Sequence, residues 1–290
     1  MEIPSSPDLW LQIAASRSIR TELAYQSHAW FFSLYLSHYM SYPTAPFHKN
    51  FFAITEDINQ QLAVIVAFRG SAKSTIMTLS YPIWAILGSQ RRKFVLILSQ
   101  TQAQAKQHMV NLKQELETNE LLRGDFGAFE EDTDQWGLSS LVIPRYNARI
   151  TVASSEQSTR GLRNRQYRPD LIICDDIEDL NSVKTKEGRD KAYAWLTGEI
   201  FPAGDQRTRL IIIGNLLHED SLLMRLKAQM NQGHLAGQFY WYPLVTDDGI
   251  IGWPGKFPTM ASIEKLKSTI PSEASWQREF LLRIIATQEQ

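Results

Sequence analysis

Four short runs of apolar, mostly β-branched residues recur along the chain, and each is followed by sequence with helical spacing. They are Leu62-Ala63-Val64-Ile65-Val66-Ala67, Phe94-Val95-Leu96-Ile97-Leu98, Leu171-Ile172-Ile173-Cys174 and Leu210-Ile211-Ile212-Ile213. A strand with one wet face alternates apolar and polar residues, whereas a strand buried on both faces does not. Such runs separated by helices predict a parallel sheet covered by helices on both sides. Helical sequence is expected over 8–42, onward from Lys73, and over 101–121, 186–198, about 220–230 and 273–286. Residues 141–153 read as a β-hairpin around Pro144-Arg145-Tyr146-Asn147, and the turn-rich stretch 243–258 is expected to leave the sheet. Three regions follow: a helical segment over 1–45, an α/β core over 46–242, and a turn-rich segment with a closing helix over 243–290.

Composition fits one large α/β domain, since 290 residues with 43% hydrophobic content can bury a central sheet. Lys and Arg number 30 against 31 Asp and Glu, so any nucleic-acid contact must come from a local basic patch. The single cysteine, Cys174, excludes an internal disulfide and supplies no zinc-ligand set. No apolar run approaches the roughly 20 residues of a membrane span, and the start, Met1-Glu2-Ile3-Pro4, lacks the basic-then-apolar pattern of a signal peptide. A protein of the cytoplasm with no membrane partner is expected.

The first apolar run leads directly into Ala67-Phe68-Arg69-Gly70-Ser71-Ala72-Lys73-Ser74-Thr75. This is a relaxed phosphate loop, with alanine at both outer glycine positions and Gly70 retained. A strand ends, a glycine allows positive φ, and a helix begins, so successive N–H groups turn into one concavity that suits phosphate. Lys73 would reach the β- and γ-phosphates of ATP, and the Ser74 hydroxyl would ligate Mg²⁺. The third run ends in Asp175-Asp176-Ile177-Glu178-Asp179. Carboxylates gathered at one strand end repel one another unless a cation sits among them. Asp175 is therefore the expected Mg²⁺-side carboxylate; the pattern resembles that of additional-strand ATPases, whose water-activating carboxylate comes immediately after it, which implies that role for Asp176. On an extended backbone Glu178 would point to the same side as Asp176 with longer reach, so either could activate water.

The fourth run ends in Gly214-Asn215, and Asn215 is placed to sense the γ-phosphate; Asp220 reads as the N-cap of the next helix. Arg160, Arg163, Arg165 and Arg168 cluster ahead of the third run. Guanidinium binds phosphate bidentately, so one could act on a neighbouring subunit's nucleotide, with Arg160 first and Arg163 next, or the group could touch DNA. Arg69, inside the loop, is a separate candidate for steadying the transferred phosphate.

These motifs, in this order, resemble the ATPase domain of tailed-bacteriophage terminase large subunits. The resemblance rests on Phe68-Arg69-Gly70-Ser71-Ala72-Lys73-Ser74, on Arg160-Gly161, on the Arg-Pro-Asp-Leu-Ile-Ile-x-Asp-Asp pattern of 168–176, on Asn215 to Leu222, and on Trp253-Pro254-Gly255-Lys256-Phe257-Pro258. It covers about residues 46–285 and implies a parallel-sheet P-loop NTPase of the additional-strand type. It also implies ATP and Mg²⁺ as cofactors, and Arg69, Gly70, Ser71, Ala72, Lys73, Ser74, Thr75 and Asn215 around the nucleotide. Translocation of double-stranded viral DNA into a procapsid would follow, with portal protein and small terminase subunit as partners in the host cytoplasm. The motor would be a ring on the portal, and the chain alone a monomer. Asp176 stands where the family usually has glutamate. The chain ends at Gln290, where the family's nuclease domain would begin, so nuclease activity is not expected. The competing readings are a helicase-like ATPase acting on nucleic acid and a nucleotide-binding scaffold that does not hydrolyse.

Overall fold

The structure, a computed structural model, describes residues 7–129, 136–157 and 161–285. Seven strands form one sheet: β1 (Leu62–Ala67), β2 (Phe94–Ser99), β3 (Ser140–Ile143), β4 (Ala148–Ser154), β5 (Leu171–Asp175), β6 (Arg209–Gly214) and β7 (Gln238–Tyr242). Their order is β3-β4-β2-β5-β6-β1-β7, and every pairing is parallel except the β3–β4 hairpin at one edge. That hairpin turns where expected, through a 3₁₀ turn at Pro144–Tyr146 and left-handed Asn147. β6 stands between β1 and β5, so the phosphate-loop strand and the acid-bearing strand are separated by one additional strand.

The unbroken apolar runs are buried on both faces. In β1, Ala63, Ile65 and Ala67 face one core cluster while Leu62, Val64 and Val66 face the other. The first cluster is covered by α3 (His28–Tyr35), α4 (Pro46–Glu56), α5 (Tyr81–Leu87) and α6 (Gln102–Thr118); the second by α9 (Leu222–Asn231) and the turn Leu196–Ile200 that follows α8 (Lys186–Trp195). The helical stretch expected over 8–42 is broken at Ser16, Ser27 and Leu36 into α1 (Pro7–Ala15), α2 (Arg17–Gln26), α3 and a short 3₁₀ turn. The Ser27 side chain accepts from Trp30 N, satisfying an orphan donor where α3 begins. The expected 101–121 helix likewise breaks at Asn119, which caps α7 (Glu120–Phe126).

The terminal regions share the central core. Trp84 Nε1 donates to Ala24 O at 2.8 Å, and buried His28 bonds Thr55 and Ser80. At the other end Trp253, Ile263 and Trp276 enter the same cluster, carried by the turn-rich segment, α10 (Met260–Lys267) and α11 (Glu273–Glu279). β7 and α10 go beyond the sequence reading, and α11 is shorter than the helix expected there. β7 is an edge strand of four consecutive half-buried aromatics, Phe239 to Tyr242, a weaker signal than an unbroken buried aliphatic run.

Candidate nucleotide site

The carboxyl ends of β1, β5 and β6 converge on the phosphate loop. Beyond β1 the chain keeps one more sheet bond, Phe68 N to Tyr242 O at 3.0 Å, and then turns sharply. Gly70 has φ +79° and Ala72 φ +64°. The sequence reading anticipated the first; the second puts a Cβ in the left-handed region, at a cost of about 1–2 kcal/mol. Contacts from three directions hold this conformation. Arg69 N donates to Glu279 O at 2.8 Å, Lys256 Nζ to Gly70 O at 3.3 Å, and His48 Nε2 to Ser71 O at 2.8 Å. His48 Nδ1 accepts from Ala45 N, so the ring is neutral with its proton on Nε2. Burial and the nearby Lys256 charge hold its pKa down, to about 4.

A helix opens at Lys73, runs as a π-turn over Thr75–Ser80 and continues as α5. Pro82 accounts for the widened turn: it has no N–H, and its ring excludes the carbonyl four residues back, that of Thr78. Lys73 is nearly buried. Its Nζ donates to Asn215 Oδ1 at 2.9 Å and lies 3.4 Å from Asp176 Oδ2. Asn215 in turn donates from Nδ2 to Glu279 Oε2 at 2.8 Å, which fixes its amide orientation. Glu279 also lies 4.0 Å from the Arg69 guanidinium, whose side chain is 72% exposed.

On the other side of the lysine, Asp175 is buried and bonded through both oxygens. Ser74 Oγ donates to Oδ1 at 3.1 Å and Thr78 Oγ1 to Oδ2 at 2.7 Å, with His108 Nε2 3.6 Å away. Ser74 and Thr78 are four residues apart on one helix face, so both hydroxyls meet the same carboxylate. The hard-oxygen donors fit Mg²⁺, which keeps several waters and takes only one or two protein ligands. Among the described residues no group of three or more His, Cys, Asp or Glu could hold a metal ion.

Asp176 departs from the extended path. Its N still donates to Ile213 O at 3.0 Å, but its φ is +46°, and the chain swings away after it. The expectation that Asp176 and Glu178 share a side fails at this residue. Asp176 faces Lys73, whereas both Glu178 oxygens accept from Leu222 N, at 3.0 and 2.9 Å, and cap α9. Burial raises the Asp176 carboxyl above the usual carboxylate range, Asp175 adds repulsion, and Lys73 opposes both. Burial also pushes Glu178 up, to about 7. Asp220 is not the N-cap expected for it. Ser221 holds that position, while Asp220 accepts from Arg189 and Arg225 at 2.7–2.8 Å, and those bonds hold its carboxyl well below the usual range.

Of the residues selected from sequence, Arg69 to Thr75, Asp175, Asp176 and Asn215 thus lie together. Glu178 lies at the neighbouring helix end. Arg163, Arg165 and Arg168 lie elsewhere, and Arg160 is outside the described residues. Thr78, His108, His48, Lys256 and Glu279 are additional. The four-residue spacing of Ser74 and Thr78 could have revealed Thr78, but nothing local marks Glu279.

No family model matches the chain, and no curated protein matches it in sequence. Solved structures match it by fold. The HK97 bacteriophage large terminase does so with TM-score 0.53 at 16% identity, covering 81% of this chain and 49% of that one. The Thermus phage P74-26 large terminase ATPase domain gives 0.49 at 12% identity, over 78% and 90%. The DEAD-box helicase Mss116 bound to ssRNA gives 0.48 at 12% identity, over 93% and 53%. The chain spans about half the length of the HK97 protein, and it has the α/β P-loop NTPase fold found in phage large terminases.

Proposed function

We propose that this chain is an ATP-hydrolysing motor domain that drives double-stranded DNA into a viral procapsid, as the resemblance to terminase large subunits implies. The observation that carries the catalytic reading is the position of Lys73. Its ammonium stands between Asn215 and Asp176, 2.9 and 3.4 Å away, at the carboxyl ends of three adjacent strands. Ligands of open parallel sheets bind at that edge.

In this reading the backbone N–H groups of Gly70 and of Ala72 onward receive the phosphates, and Lys73 offsets the β,γ charge. Ser74 and Asp175 would hold Mg²⁺, which would supply positive charge against that developing on the transferred phosphate. Asp176 orients the attacking water and takes its proton. Burial and Asp175 raise its basicity, suiting that role. Water adds to the γ-phosphorus as the bond to the β,γ-bridging oxygen breaks, and ADP and phosphate leave. Asn215 reports the γ-phosphate through its bond to Lys73, and Arg69 steadies the outer oxygens. Glu178 serves as the cap of α9 and not as the base. Arg160 remains the candidate for a finger supplied to a neighbouring subunit in a ring on the portal, with small terminase subunit and DNA as the other partners.

The test is ATP turnover with and without double-stranded DNA. Stimulated turnover that Lys73→Ala abolishes is expected; wild-type turnover in that variant would reject the site assignment.

A further inference from the structure

The arginines ahead of β5 are not used by the nucleotide site. Arg163 and Arg168 line a cleft of about 450 Å³ with Arg92, Lys93 and Arg207. A second cleft of about 280 Å³ adjoins it, sharing Arg163 and Arg168. Arg92 and Lys93 directly precede β2, Arg168 closely precedes β5 and Arg207 closely precedes β6, so the clefts lie at the amino edge of the parallel sheet. Strands of five or six residues place that edge about 20 Å from the phosphate loop.

Five cations line the joined clefts against three carboxylates, Asp170, Asp205 and Glu199, in a chain whose formal net charge is −1. Asp170 is turned inward, accepting from Lys93 N and Phe94 N at 2.8 and 2.9 Å. Asp205 is occupied mainly by Arg207 N at 2.8 Å, with the Arg207 guanidinium 3.8 Å away. Arg163 and Arg168 are exposed, and the Arg207 side chain is 87% exposed. Their charges therefore project into solvent.

We propose that these joined clefts bind the sugar-phosphate backbone of a nucleic-acid duplex, by charge and without reading bases. The cations are spread along a rim on three chain segments, which matches spaced phosphates and not one buried anion. Tyr167 is the one aromatic among the lining residues, so no platform exists for stacking the bases of a single strand. The polar lining also lacks the large apolar anchors of a protein–protein hot spot. The inference rests on the proposed function only for why DNA is present; the surface itself owes nothing to the nucleotide site.

The test is equilibrium binding of a labelled duplex of arbitrary sequence, without nucleotide, across a salt series. Wild-type affinity should fall steeply with salt. Arg168→Gln/Arg207→Gln should bind on the order of tenfold more weakly at moderate salt, with the log–log salt slope shallower by about two. Arg168→Lys/Arg207→Lys should keep the wild-type slope, because it keeps both charges. No duplex binding, or unchanged affinity and slope in the Gln variant, overturns the proposal. So does loss of polyglutamate binding with duplex binding retained, which would mark a surface for an acidic protein. Lys73→Ala should bind duplex like wild type. Failure of the ATPase reading would show as absent turnover with the salt slopes intact.

Discussion

The two edges of one sheet use charge in opposite ways. At the carboxyl edge Lys73 holds Asn215 and Asp176 within 3.4 Å, and buried Asp175 takes the Ser74 hydroxyl at 3.1 Å and that of Thr78 at 2.7 Å. At the amino edge the guanidinium groups of Arg163, Arg168 and Arg207 extend into solvent. Arg209, just inside that edge, is the exception: it is fully buried, and donates to Thr55 O at 2.7 Å and to Tyr81 Oη at 2.9 Å. A buried charge acts over a few ångströms and is costly to leave unpaired, whereas an exposed charge adds to a field that salt screens. One edge is therefore suited to a localised reaction, and the other to a long, weakly specified polyanion.

The largest expected contrast comes from the lysine itself. Lys73→Ala should lower turnover by at least about 10³-fold, because no other loop side chain stands where it offsets β,γ charge. The fold should persist, with the melting temperature shifted by only a few degrees. Arg207→Gln at the other edge should leave turnover without DNA within about twofold. Similar kinetic losses from both variants would erase the distinction between the edges.

The carboxylates divide the carboxyl edge further. Asp175→Asn should weaken Mg·ATP binding, since Asp175 meets the Ser74 and Thr78 hydroxyls. Asp176→Asn should spare binding and lower kcat by about 10²-fold, as expected of a group acting in the transition state. Nucleotide affinity and single-turnover rates separate the two. Equal, mild effects would mean that neither residue has its proposed role.

The strands and both motifs of this edge were legible because burial on two faces forces unbroken apolar runs, and a tight turn between strand and helix keeps Gly70 three residues ahead of Lys73-Ser74. The supports were not legible. Glu279 lies 64 residues beyond Asn215 in sequence, and Lys256 reaches Gly70 from 186 residues away. Only the packing of the closing segment brings them in. Likewise, Asp176 takes a positive φ and Glu178 accepts from Leu222 N, so a local extended-chain argument wrongly turned Glu178 toward the site. The arginine cluster was visible as a cluster, but its edge of the sheet was not.

Acid should act through two buried histidines, His48 behind the loop at Ser71 O and His28 deeper in the core beside Thr55 and Ser80. His28, fully buried, has its pKa lowered to about 3 by burial, and that of His48 is lowered to about 4. Both are depressed below the unfolded value near 6.5, so below that pH the unfolded chain binds protons that the folded chain refuses. Stability should therefore fall as pH drops from about 6.5 toward 4, by about 1.4 kcal/mol per pH unit for each histidine. Denaturant titrations at stepped pH measure it. His28→Gln and His48→Gln should each flatten the slope, and an unchanged slope would mean that the rings are accessible to protons.

The smallest effect concerns Glu178, which the sequence left as an alternative base. Capping α9 calls for an acceptor but no charge, and burial already disfavours the ionised form by raising its pKa to about 7. Glu178→Gln keeps one acceptor oxygen for Leu222 N, so below about pH 4.5, where the wild-type carboxyl is neutral, stability should change by under about 1 kcal/mol. The sign depends on pH. A carboxyl whose folded pKa is raised is most favourable below the unfolded value near 4.5 and loses that stability as pH climbs through about 7. The Gln variant should thus gain on wild type between pH 5 and pH 8, with kcat within about threefold throughout. A loss of kcat comparable to that of Asp176→Asn, with melting unchanged, would make Glu178 the base and move the reacting water toward α9.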